Sequence, residues 1–124
     1  MNNTNFSKWI LIVGGLFCLT TVLIGAFASH GLKNLLDDKA LGWIDTGVFY
    51  QSFHGLALIA CGLISKHRSM TVSVSLFIAG ICLFCGSLYA MALTGNTQLG
   101  VVTPMGGVCF ILGWLSFCWS VRTL

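Results

Sequence analysis

The stretch VFYQSFHGLALIACGLIS, residues 48–65, decides the fold. It carries no charge over a length that matches the ~30 Å hydrocarbon core of a bilayer, which a helix crosses in about 20 residues. Yet Tyr50, Gln51 and His54 stand near its start. Tyr50 and His54 are four apart and Gln51 lies three before His54, so a helix gathers them on one side, with Gly47, Gly55, Leu58 and Gly62 continuing that face. His54 sits seven residues past Gly47, about 10 Å along a helix rising 1.5 Å per residue.

The rest of the chain repeats the apolar pattern. Residues 9–27, 72–93 and 101–121 are charge-free runs of about the same length. Of 124 residues, 56% are hydrophobic and 7% charged, with a mean hydropathy of +0.93, so there are too few charges to coat a soluble surface. An open sheet would leave its backbone unsatisfied in lipid, and no alternating pattern suggests a barrel. The expected fold is all-α, one membrane-embedded domain over residues 1–124, a bundle of four transmembrane helices at about 9–27, 48–65, 72–93 and 101–121. A short interfacial helix is expected between helices 1 and 2, where Leu32, Leu35 and Leu36 share a face and Trp43 would lie at headgroup level.

Charge sets the orientation. Lys8, Lys66, Arg68 and Arg122 fall on one side, and Lys33 and Lys39 on the other beside Asp37, Asp38 and Asp45. Both termini are therefore expected in the cytoplasm. Ala26-Phe27-Ala28 fits a small-x-small cleavage site, but the apolar run before it exceeds the 7–15 residues or so of a signal peptide's central region, so the first helix is read as uncleaved. A net charge of +3 does not argue for nucleic acid.

Small residues recur at helical spacing: Gly14, Cys18, Thr21 and Gly25 in helix 1, Ser75, Ala79, Cys82, Gly86 and Ala90 in helix 3, and Gly106, Cys109, Gly113, Ser116 and Ser120 in helix 4. Each stripe is expected to face another helix in a tight bundle, since close approach takes over where lipid removes the hydrophobic drive. The six cysteines then read as small apolar fillers. Cys82 and Cys85 form a Cys-x-x-Cys spacing, but within a span and without a nearby cation to activate a thiol.

The polar residues of the other helices fall at a similar level. His30, Tyr50, Gln51, His54, Ser87, Tyr89 and Thr103 are expected to line a polar pocket in the outer half of the bundle. Interhelical glue explains the same residues without any ligand. No buried carboxylate completes a metal set or a hydrolytic triad, so no catalytic residue, metal or cofactor is assigned. The alternatives are a haem- or metal-dependent redox protein using His30 and His54, and a small transporter or channel, although the spans lack the acid a proton-coupled exporter needs. The expected partners are the lipid bilayer and either another membrane protein or a second copy.

Four motifs add a resemblance. GAFASHGLK, YQSFHGLAL, CGSLYAMALTG and GVVTPMGGVCFILGW, in this order, resemble those of the YgdD/YwdK-type small integral membrane proteins. The family pattern has glycine where Ala28 stands, alanine at Ser29 and serine at Cys85, which makes the Cys-x-x-Cys spacing incidental. The resemblance covers about residues 14–114. It implies four helices in the bacterial inner membrane and an uncharacterised family, and it supplies no reaction; the residues themselves are read as those of a non-enzymatic binding or assembly protein.

Overall fold

The computed structural model describes residues 2–124. Among them there are helices and turns and no strand. Helix α1 runs Asn3–His30, α2 Asp38–Ile64, α3 Thr71–Thr94 and α4 Val102–Val121, the last entered through a 3₁₀ turn at Thr97–Val101. These four helices are long and apolar enough to cross a membrane.

The helices outrun the apolar segments. At 1.5 Å per residue α1 is about 42 Å long and α2 about 40 Å, more than the hydrocarbon thickness. Helix α2 starts early because Asp37 caps it, its side chain accepting the Ala40 N–H at 2.8 Å. The first eight residues of α2 therefore carry Asp38, Lys39 and Asp45. Gly95, at φ +71°, ends α3 in the left-handed conformation that glycine adopts at no steric cost.

This early start replaces the expected interfacial helix. Residues 31–37 form a turn in which only Leu35 and Leu36 donate backbone hydrogen bonds back to Leu32. Leu32 and Leu36 pack against Ala28, Ala40, Ile44 and Ala92, whereas Leu35 is exposed. Trp43 lies within α2, with the Lys39 ammonium 5.4 Å from its ring centroid.

Helices adjacent in sequence pack together, giving an open row with α1 and α4 at its edges. In its most apolar stretch α1 or α4 buries 17% of its residues, against 44% for α2 or α3. The tight bundle expected from the small-residue stripes is thus realised only pairwise. Between α1 and α2 the approach is backbone to backbone: a Cβ on Gly14 would lie 3.0 Å from the Gly55 carbonyl oxygen, and one on Gly55 2.9 Å from the Cys18 sulfur. Between α3 and α4, glycines receive aromatic rings, Gly113 that of Phe77 and Gly80 that of Phe110, while Gly106 lies against the Phe84 backbone.

The α3 stripe is on the other face. Ser75 and Cys82 are exposed, and a Cβ on Gly86 would meet nothing within 4 Å. The inward face of α3 carries larger groups, Val74, Phe77, Ile81, Cys85 and Leu88, of which Phe77 enters the hole at Gly113 of α4. Within α3 the residues Ile81–Cys85 form a π-helical turn bounded by Gly80 and Gly86. Cys82 is exposed and Cys85 buried, so the two thiols face different surroundings.

Gly106→Ala is expected to destabilise the protein by roughly 1–3 kcal/mol through overpacking against backbone that cannot swing aside. Gly86→Ala, at an open position, is expected to be neutral or mildly stabilising. Unfolding of both variants in mixed micelles checks the contrast.

Candidate functional site

Gln51 is the central polar group. It lies midway along α2, buried, where an amide without partners would be costly. Its Nε2 donates to the Phe17 carbonyl at 3.0 Å and to Thr20 Oγ1 at 2.7 Å, both on α1. Its Oε1 accepts from the Tyr89 hydroxyl at 2.8 Å, on α3. One side chain thus ties three helices, and Tyr89 in turn packs over Gly47, where a Cβ would come within 2.5 Å of its ring.

His54 makes a second, separate bridge. Its Nδ1 lies 2.7 Å from the Tyr50 carbonyl oxygen, and the Trp114 indole Nε1 donates to its Nε2 at 3.0 Å. A carbonyl only accepts and an indole N–H only donates, so the pair of bonds selects the neutral tautomer with hydrogen on Nδ1. The ring stacks on Phe110 at a centroid distance of 3.6 Å and an interplanar angle of 8°. These contacts join α2 to α4, two helices whose backbones share no extended interface. With both nitrogens engaged, the imidazole keeps no free lone pair for a metal or a proton relay.

Ser87 and Thr103 form the third contact, hydroxyl to hydroxyl at 2.6 Å, with Ser87 also bonded to the Phe84 carbonyl at 2.9 Å beside the π-helical turn. Tyr50 is 37% exposed and turns away from Gln51, so the two do not share a pocket wall. His30 is exposed at the end of α1. His54 lies 16 residues beyond the start of α2, about 24 Å along the helix from that same end, so the two histidines are not placed to share an ion. Among the described residues no group of three or more His, Cys, Asp or Glu side chains could hold a metal.

Five of the seven thus form three bridges, Tyr50 meets His54 through its carbonyl and ring, and His30 stands apart. The partners not anticipated from sequence are Thr20, Phe110 and Trp114. Trp114 had a legible signal, since a partly buried indole N–H needs an acceptor and helix α2 offers one in His54.

Beside the His54 bridge a groove of about 430 Å³ opens between α2 and α4. Tyr50, Phe53, His54, Phe84, Phe110 and Trp114 line it, with Gly107 leaving space at one wall. Phe53 and Ile111 are exposed at its mouth, on the surface that faces lipid. Among the described residues no side chain bonds the Tyr50 hydroxyl, which lies in the wall of this groove.

Residues 24–107 match the model of the family described as "Protein of unknown function (DUF423)". The chain belongs to this family. It is 42% identical to a UPF0382 membrane protein of Haemophilus influenzae over 92% of this chain and 93% of that one. It is 40% identical to the UPF0382 membrane protein YwdK of Bacillus subtilis, over 87% and 91% of the two chains. It is 38% identical to the UPF0382 inner membrane protein YgdD of Escherichia coli, over 87% and 85%. No solved structure matches. The resemblance carried by the four motifs holds, and with it the description of a multi-pass helical membrane protein.

Gln51→Leu and Tyr89→Phe are each expected to destabilise the fold, and the double variant to cost less than their sum, with a coupling of roughly 0.6–1.7 kcal/mol as for hydrogen bonds between membrane helices. A double-mutant cycle of unfolding free energies in bicelles gives that coupling. A value indistinguishable from zero would remove Gln51–Tyr89 as a stabilising bridge.

Proposed function

We propose that this chain is a non-enzymatic membrane protein that binds an apolar guest from the bilayer in the groove between α2 and α4. The observation that carries this is the groove itself, aromatic-walled and open toward lipid at about 430 Å³. Gln51, His54, Ser87, Tyr89 and Thr103 all make their hydrogen bonds inside the protein, which favours binding over catalysis. The fitting guest is a lipid chain or lipid-soluble small molecule carrying one hydrogen-bonding group, to be met by the Tyr50 hydroxyl.

Gly107→Leu tests this with little disturbance. A Cβ there has only ordinary contact with the Phe84 ring, at 3.9 Å, so the new side chain fills the groove without displacing backbone. Native mass spectrometry from mild detergent is expected to show a guest on the wild type and its loss, with folding kept, in the variant. An identical lipid and small-molecule complement in both would sink the reading. Added protein mass in place of lipid mass would give the groove to a partner helix or a second copy of the chain.

The same reading places the protein in the bacterial inner membrane with both termini cytoplasmic. It is supported by the name of the Escherichia coli relative and by Lys8, Lys66, Arg68 and Arg122 gathering at the end that holds the termini. A C-terminal fluorescent-protein fusion is expected to be bright and an alkaline phosphatase fusion inactive. The reverse pattern overturns the orientation.

A further inference from the structure

At the end of the molecule that holds both termini, a cavity of about 150 Å³ lies under the α2–α3 turn. Lys66, His67, Arg68 and Ser69 line it from the turn, Thr71 from the start of α3, and Asn3 from the start of α1. The turn is held in place. The His67 and Arg68 N–H groups donate to the Ile64 carbonyl at 2.8 and 3.1 Å, and the Ser65 hydroxyl donates to the Gly62 carbonyl at 2.8 Å. That same carbonyl accepts the buried Ser7 hydroxyl of α1 at 2.6 Å, which locks the first helix to the base of the turn. The Arg68 guanidinium donates to the Thr123 carbonyl, bringing the end of α4 to the same rim.

The charge around this cavity is one-sided. Lys8 and Arg122 stand at the same end of the helix row, and the three side-chain carboxylates, Asp37, Asp38 and Asp45, all lie at the opposite end. No side-chain carboxylate of this chain is therefore placed to neutralise Lys66 or Arg68. Trp119, stacked under the Arg122 guanidinium at 3.6 Å, marks headgroup depth there.

We infer that this cavity binds a phosphate group, as carried by the headgroup of an anionic phospholipid whose chains continue down the lipid-facing helices. Two permanent cations supply charge-assisted donors, Ser69 and Thr71 supply hydroxyls, and the unpaired first N–H groups of α3 add positive potential. A basic pocket between membrane helices is a general arrangement for anionic headgroups. This site is at the basic end and does not depend on the aromatic groove.

The test uses the full chain in nanodiscs of phosphatidylcholine with and without phosphatidylglycerol, with bound lipid counted by native mass spectrometry. The wild type is expected to retain phosphatidylglycerol selectively. Lys66→Gln and Arg68→Gln should each lower that affinity about fivefold, as expected for one basic residue at an anionic surface. Lys33→Gln/Lys39→Gln, which removes the same charge from the other end, should leave it unchanged. Because Arg68 also holds Thr123, Lys66→Gln decides the matter if the Arg68 variant fails to fold. Displacement of the lipid by millimolar inorganic phosphate would assign the cavity to the free ion, and persistence of the lipid would assign it to the headgroup; either supports a phosphate site. Undiminished retention in Lys66→Gln, or an equal loss in the opposite-end variant, overturns the proposal.

Discussion

A buried amide in hydrocarbon has to be answered, and Gln51 is answered from two sides. Water is absent at that depth, so each unmet donor or acceptor costs kilocalories. Phe17 and Thr20 on α1 and Tyr89 on α3 take up three of its four hydrogen-bonding positions. This fixes more than energy. A one-residue slide of α3 against α2 would carry the Tyr89 hydroxyl away from the amide, and Thr20 and the Phe17 carbonyl hold it to α1, so Gln51 ties three helices at one level.

Around that hub the helices pair in two ways. The α1–α2 pair closes on glycines facing one another, which brings backbones together and leaves no room between. The α3–α4 pair closes on rings set into glycine holes, Phe77 against Gly113 and Phe110 against Gly80. Large groups therefore project from the α3–α4 pair toward α2, and they hold α4 away from it. The His54–Trp114 bond spans the resulting gap, and the aromatic groove is the part of the gap that no side chain fills.

The spans were legible because hydropathy over about 20 residues is a strong signal in a chain with so few charges. Their ends were not, because a helix stops where its backbone is capped and not where its side chains become polar. Asp37 caps α2 and carries it ten residues beyond the apolar run, through Leu41, Trp43 and Ile44, so Trp43 belongs to a spanning helix and not to a separate interfacial one. The small-residue rule worked where glycine meets glycine, at Gly14 and Gly55, and failed on α3. There Ser75, Cys82 and Gly86 face outward, and both helices supply knobs, Phe77 entering at Gly113 and Phe110 at Gly80, an exchange that composition alone does not reveal. For the polar residues, helical spacing decided neither their level nor their partners: His30 ends α1, whereas His54 lies beyond the midpoint of α2, about 24 Å along the helix from that end. Tyr50 and Gln51 are adjacent in sequence and so point about 100° apart on a helix, one toward the groove and the other toward α1.

That division bears on where activity can reside. A polar side chain with all its bonds made inside the protein is a poor reagent, since any reaction would first have to break a bridge that holds the fold. His54 is the sharpest case: accepting from Trp114 and donating to Tyr50, it would set two donors against each other on gaining a proton at Nε2. Selection for a chemical step would favour a histidine with one nitrogen left open. The Tyr50 hydroxyl in the aromatic groove and the Lys66 ammonium at the α2–α3 turn make no hydrogen bond among the described residues, so a molecule arriving from the membrane would meet them without breaking a bridge.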